Sequence, residues 1–134
     1  LFPTTFKRTI NKKINLDKFN AYALGATQQS GRLSIPKIDK LNDLKSRSDI
    51  LSDKTVLMFD ENLEGIHLSQ AKIKSNDEIL VIIGPEGGFE EEERAFISNA
   101  SKNFLNVSLG HNILKADTAV IAALSLTFHY FNEN

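Results

Sequence analysis

Apolar positions in this chain fall into short runs divided by polar stretches, and the spacing inside each run sets the element it predicts. Leu16, Phe19, Ala23 and Ala26 recur at helical intervals, which predicts a helix over Leu16–Gln29 with Gly31 placed to end it. Gly25 inside that run costs about 1 kcal/mol against Ala. Residues 9–15 are polar and read as a loop, 32–35 as a short strand stopped by Pro36, and 41–52 as a solvated helix. Thr55–Phe59 is a run of strand formers closed by Asp60, Glu61 and Asn62. After a turn at 75–77, residues 78–83 form the clearest buried strand. A helix then spans 90–100, its glutamates 90–93 at the positive end of the helix dipole. A strand over 104–109 leads to a final helix capped by Asp117 or Thr118 and running to about Phe131. That helix is apolar almost all round, so it is buried on most sides, centrally or against another subunit. Strands alternating with helices predict an α/β fold with a mostly parallel sheet covered by helices on both faces.

Composition narrows the classes. The chain has 134 residues, 41% hydrophobic and 25% charged, with a formal net charge of −1. This is one domain spanning 1–134 with enough apolar content for a core. Zero Cys removes disulfides, thiolate metal sites and a cysteine nucleophile, and the reducing cytoplasm is the simplest home. His67, His111 and His129 lack metal-ligand spacing, so no metal is expected, and His129 reads as a core or interface histidine. The apolar stretch 119–131 is too short and too polar to span a membrane. The chain opens Leu1-Phe2-Pro3 without an initiator methionine, which suggests a piece of a longer protein.

The small net charge hides an asymmetry. Residues 1–54 carry 11 Lys+Arg and 5 Asp+Glu; residues 55–134 carry 5 and 12. The basic half, with Lys7, Arg8, Lys12, Lys13, Lys18 and Arg32, suits a polyanion, although taken alone a solvated surface is the favoured explanation.

Three segments can carry chemistry. Gly84-Pro85-Glu86-Gly87-Gly88 leaves the best strand and enters a helix, where α/β folds bind ligands. It matches neither the dinucleotide fingerprint nor a P-loop, and the acidic helix start disfavours phosphate, so a neutral or cationic ligand fits better. Residues 109–119 form a second such loop, with Ile113 and Leu114 available to wall a flat ligand or simply to anchor the loop. Gln28-Gln29-Ser30-Gly31-Arg32 with Pro36 suits a nucleobase edge or phosphate, or is a solvated helix end.

Taken together, Ala26 to Arg32 with Pro36, Ile83 to Phe89, and Leu109-Gly110 followed by Ile113 to Ala119 resemble the 16S ribosomal RNA uracil-N3 methyltransferases of the SPOUT class. The resemblance covers nearly the whole chain. It implies a C-terminal deep trefoil knot, and an N-terminal PUA-like RNA-binding domain that this chain does not contain. It implies S-adenosylmethionine held by the strand end at Leu57 and Phe59, by Ile83, Gly84, Pro85, Gly87 and Gly88, and by Leu109, Gly110, Ile113, Leu114 and Thr118. It also implies a homodimer through the final helix, acting on the small ribosomal subunit. Two departures stand out: Lys115-Ala116-Asp117-Thr118 replaces the family's usual Arg-Ala/Thr-Glu-Thr, and Gly110-His111-Asn112 its frequent Gly-Pro-Arg.

The implied reaction moves a methyl group to N3 of an unstacked uridine, which must lose its proton. Arg32 or Lys115 is expected to stabilise the uracil anion, and Glu86 to position the ring or relay the proton. Arg8, Gln29 and Arg32 are expected on the RNA. Two alternatives stand beside this reading: a SPOUT enzyme acting on another RNA, and a non-catalytic RNA-binding domain of the same fold.

Overall fold

The computed structural model describes residues 1–60, 65–74 and 76–133. The expected residues Glu61, Asn62 and Ser75 lie outside the described residues. Its elements run β1 (Thr4–Thr5), α1 (Leu16–Gln29), β2 (Asn42–Asp43), α2 (Ser48–Ser52), β3 (Thr55–Phe59), β4 (Ile79–Ile83), α3 (Glu91–Ala100), β5 (Asn103–Val107) and α4 (Ala116–Glu133). Short 3₁₀ turns occupy Lys45–Arg47 and Leu68–Gln70.

The most hydrophobic runs made the central strands. β3 lies between β4 and β5, parallel to both, with Phe59 opposite Ile83 on one side and Val107 on the other. Alternation along β3 then divides the core in two. Val56 and Met58 pack with Leu51 of α2, Ile97 of α3, Leu44 and Phe89. Leu57 and Phe59 pack with Leu68, Ala71, Val107 and Ala123 of α4. All five residues of β3 are buried, the signature of a strand covered on both sides.

Past Phe59 the chain returns at Gly65 to the free edge of β5, where Ile66 bridges Val107. The Ile66 N–H donates to Asn106 O at 2.9 Å, and the Ser108 N–H donates to Ile66 O at 3.0 Å. A Cβ on residue 65 would lie 2.5 Å from the Ser108 nitrogen, so this close backbone approach requires glycine. The connection then crosses to β4 on the opposite edge of the sheet. Tyr130 of α4 donates its hydroxyl to Ala71 O at 2.8 Å, tying α4 to that connection.

Three expectations are corrected. Residues 32–35 form no strand: Leu33 is fully exposed and nothing pairs with the segment. Residues 41–52 are not one solvated helix. β2 pairs in parallel with β1, and Asp43 then accepts from the Ser46 N–H (3.1 Å) and hydroxyl (2.8 Å), so helical structure begins only after it. Arg47 in that segment is buried, donating to Asp39 Oδ2 (2.5 Å), Pro3 O (3.0 Å) and Lys40 O (2.7 Å). Finally, α4 is not buried centrally. Among the described side chains of α4 only Ala123 is buried, while Ile121 and Phe128 are 70% and 73% exposed. His129 is exposed as well.

The Arg47 bond holds the Asp39 carboxyl below the usual aspartate range, with help from the Lys40 backbone. A depressed carboxyl contributes stability that is present above its unfolded pKa and lost as pH falls through the folded one. Asp39→Asn is therefore expected to flatten the acid limb of stability against pH. Urea denaturation between roughly pH 5 and pH 2 measures this; an unchanged limb contradicts it.

Candidate functional site

Because β3, β4 and β5 are parallel and in register, their carboxyl ends open at one edge of the sheet. A cavity sits at that edge. Of the residues expected there, Phe59, Ile83, Gly84, Pro85, Glu86, Gly88, Leu109, Gly110, Ile113 and Leu114 line it. Two strand-end loops, far apart in sequence, thus face one space.

The first loop is shaped by its glycines. Gly88 has φ 69° and its N–H donates to Pro85 O at 2.9 Å, closing a turn that a side chain at 88 would strain. Gly84 sits over the buried ring of Phe89, where an added Cβ would lie 2.8 Å from the ring. The loop ends in α3, whose start is a reciprocal cap: the Glu90 and Glu93 side chains each accept from the other's backbone N–H. Glu93, almost fully buried, also accepts from the Lys7 N–H at 2.7 Å. The second loop turns at Gly110, φ 107°, before α4 begins at Ala116.

Other expected residues lie elsewhere. Leu57 is fully buried in the core beneath the cavity rather than on its wall. Gly87 is turned onto Arg8, and Thr118 and Lys115 are exposed beside the cavity's second loop without lining it. Arg32 lines a separate, mainly apolar depression with Phe19, Tyr22 and Pro36, and Gln29 is exposed at the end of α1. One chain does not bring Arg32 into the cavity of Glu86.

The structure adds residues that the sequence reading missed. Phe89, Ala116 and Ala119 line the cavity, the two alanines sharing one face of the first turn of α4. Asn112 and Asp60 also line it. The Asp60 side chain is 1% exposed. Its Oδ2 accepts from Arg94 Nε at 2.5 Å, and its Oδ1 is buried with no hydrogen-bond partner. The signal available for Asp60 was its place directly after β3. Asp60 is paired with Arg94, so with Glu86 on its wall and no basic side chain lining it among the described residues, the cavity favours a cationic or neutral guest. Among the described residues there is no cluster of three or more potential metal ligands, and no helix is long and apolar enough to cross a membrane.

Comparison with known proteins places these features in context. Residues 1–127 match a family described as an RNA methyltransferase domain. The ribosomal RNA small subunit methyltransferase E of Rickettsia conorii is 35% identical over 118 residues, covering 85% of this chain and 47% of that protein. A methyltransferase E 1 of Borreliella burgdorferi is 31% identical over 129 residues, covering 92% and 51%. The chain spans about half the length of these relatives. Among solved structures, the ribosomal RNA small subunit methyltransferase E of Neisseria gonorrhoeae, bound to S-adenosyl methionine, superposes with a TM-score of 0.78 at 26% identity, over 95% of this chain and 52% of that one. A Legionella pneumophila methyltransferase in complex with SAM gives 0.79 at 28% identity, over 96% and 54%.

The packing at Gly84 is directly testable. Gly84→Ala forces a methyl group against the Phe89 ring and is expected to destabilise the chain by about 1–3 kcal/mol in urea denaturation. Gly25→Ala in α1, where nothing lies within 4 Å of the new methyl, is expected to stabilise by up to about 1 kcal/mol.

Proposed function

Since the chain belongs to the RNA methyltransferase domain family, we propose that it is the cofactor-binding domain of an S-adenosylmethionine-dependent enzyme methylating N3 of a uridine in 16S ribosomal RNA. The observation that carries this reading is the meeting of the 84–88 and 109–114 loops in one cavity. The names of the relatives favour it over a different RNA substrate or a non-catalytic role.

The residues present fit the cofactor. Ile83, Leu109, Ile113 and Leu114 offer apolar walls for a flat base, Glu86 favours a positive charge, and the unpartnered Asp60 Oδ1 accepts from an ammonium or hydroxyl donor. Gly84, Gly88 and Gly110 let backbone approach closely beside Phe59 and Pro85, with Gly87 and the core residue Leu57 behind the wall. Thr118 lies next to this wall on α4. The cofactor supplies an electrophilic methyl group carried on a sulfonium.

The chain's own side chains then deal with the uridine. Glu86, exposed on the cavity wall, positions the uracil ring or relays the N3 proton. Lys115, exposed beside the second loop, stabilises the uracil anion, while Arg32, in its separate depression, contacts the RNA. Lys115 does so as a point charge, without the bidentate fork of an arginine. Gln29 and the exposed Lys12, Lys13 and Lys18 face the RNA.

The same reading includes a knot. The 60–78 connection passes β5 at Ile66 and returns to β4, while the chain after β5 runs back to pack α4 against that connection; this supports threading of the C-terminal segment through it. It also includes a homodimer through α4, supported by the uncovered Ile121, Leu124 and Phe128. Action on ribosomal RNA supports a cytoplasmic location.

Calorimetric titration of the chain with S-adenosylmethionine and S-adenosylhomocysteine is expected to show one site per chain. With small ribosomal subunits as acceptor, Arg32→Ala is expected to cut methyl transfer by about a hundredfold or more while leaving cofactor affinity intact. Absence of cofactor binding by the folded chain contradicts the reading, and loss of binding in Arg32→Ala contradicts its place on the RNA side. Phe128→Asp is expected to shift the light-scattering mass from dimer to monomer; an unchanged mass removes α4 as the interface.

A further inference from the structure

The turn at 84–88 contains three glycines and has wide conformational freedom unless something outside it takes hold. Arg8 does so. Its Nη1 donates to Gly87 O at 2.7 Å and its Nε to Glu90 Oε1 at 2.8 Å. One guanidinium therefore bridges the loop and the first residue of the α3 cap, a use of two donors in a fixed fork. Its stem lies against the loop as well: a Cβ on Gly87 would be 3.0 Å from Arg8 Cβ and 3.2 Å from Cδ.

Arg8 is itself fixed in place. Two residues before it, the Phe6 ring meets Phe89 edge to face with centroids 5.0 Å apart. At the adjoining residue the Lys7 N–H donates to Glu93, and the Lys7 ammonium pairs with Glu92 at 2.6 Å. The peptide unit between Gly87 and Gly88 is consequently held at both ends, its carbonyl by Arg8 and its N–H by Pro85 O. Gly84, Pro85, Glu86 and Gly88 line the cavity; Gly87 does not, and faces Arg8.

We propose that Arg8 is a positioning residue that holds the 84–88 loop in its cavity-lining shape from outside, acting through the Gly87 carbonyl. The sequence reading expects Arg8 on the RNA; the geometry gives its guanidinium to the loop instead. The inference rests on the cofactor reading of the cavity. Because Arg8 is 47% exposed in its side chain, its bonds contribute little to global stability. Their effect falls on the local order of the loop.

Two measurements on the whole chain test this. Arg8→Ala is expected to weaken S-adenosylmethionine binding by about tenfold or more, measured well below the melting temperature, while the ligand-free melting temperature stays within a few degrees. Arg8→Lys, which reaches one acceptor but not both, is expected to recover part of the affinity, and Glu90→Gln, which leaves the Gly87 bond in place, most of it. Amide hydrogen exchange in Arg8→Ala is expected to quicken at residues 84–88 without change in β3 or β4. Wild-type affinity in Arg8→Ala overturns the inference, as does a loss of affinity matched by a general loss of stability and not restored by Arg8→Lys. If the unaltered chain takes up no cofactor, the cofactor reading fails. Exchange at 84–88 then decides the loop-holding role alone, and unchanged exchange refutes it.

Discussion

Everything about the site depends on the register of three parallel strands. Phe59, Ile83 and Val107 stand abreast, so the chain leaves β3, β4 and β5 at the same level and on the same edge. Parallel strands need long crossovers. The one between β4 and β5 supplies α3, which with α2 covers one face of β3, while the one between β3 and β4 joins α4 on the other. The cavity is a consequence of that layout: it lies at the carboxyl ends of the strands, bordered by the glycine-bearing loops that follow β4 and β5.

Close approach to glycine, by backbone or by side chain, is the second organising theme. Glycine occurs where a methyl group would meet a neighbour: at 65 against Ser108, at 84 against Phe89 and at 87 against Arg8. The charge asymmetry along the chain belongs to the same theme. Part of the basic segment is turned inward on the acidic start of α3, where Lys7 and Arg8 meet Glu92 and Glu90. This lowers the Glu92 carboxyl below the usual glutamate range, chiefly through the Lys7 hydrogen bond, and raises the Lys7 ammonium in return. What looked like a footprint for a polyanion is in part an internal clasp, leaving Lys12, Lys13 and Lys18 exposed.

Elements with a long, continuous period were legible from the sequence. α1 was predicted over its full length, β3 over all five residues, and β4, α3 and β5 to within one or two residues at each end. α4 was found, but it begins at Ala116, so Asp117 and Thr118, expected to cap it, lie in its first turn, where the Ala119 N–H already bonds back to Lys115 O. β1 and β2 were not, because two-residue strands of Thr-Thr and Asn-Asp carry no hydrophobic period and exist only through their pairing. The break at Asp43 was missed because its cause is a side chain folding back on Ser46. At the site, the two glycine loops were visible as chemistry waiting at strand ends. Phe89, Ala116 and Ala119 were not, since nothing marks a small or apolar residue as a cavity wall until the helix carrying it is docked. Arg32 presents the opposite case: its motif was legible, but its distance from the first cavity was set by tertiary structure alone.

The orphaned oxygen of Asp60 has a consequence for the life of the protein. A buried acceptor without a partner costs the folded state about 1–3 kcal/mol, and a guest that donates to it removes that cost. Ligand at a hundred times its dissociation constant adds about 2.7 kcal/mol to the stability of the folded form. On the proposed cofactor reading, the chain without its guest opens more often and is cleaved sooner by a protease, so the guest's contribution is read directly as a slower rate of limited proteolysis.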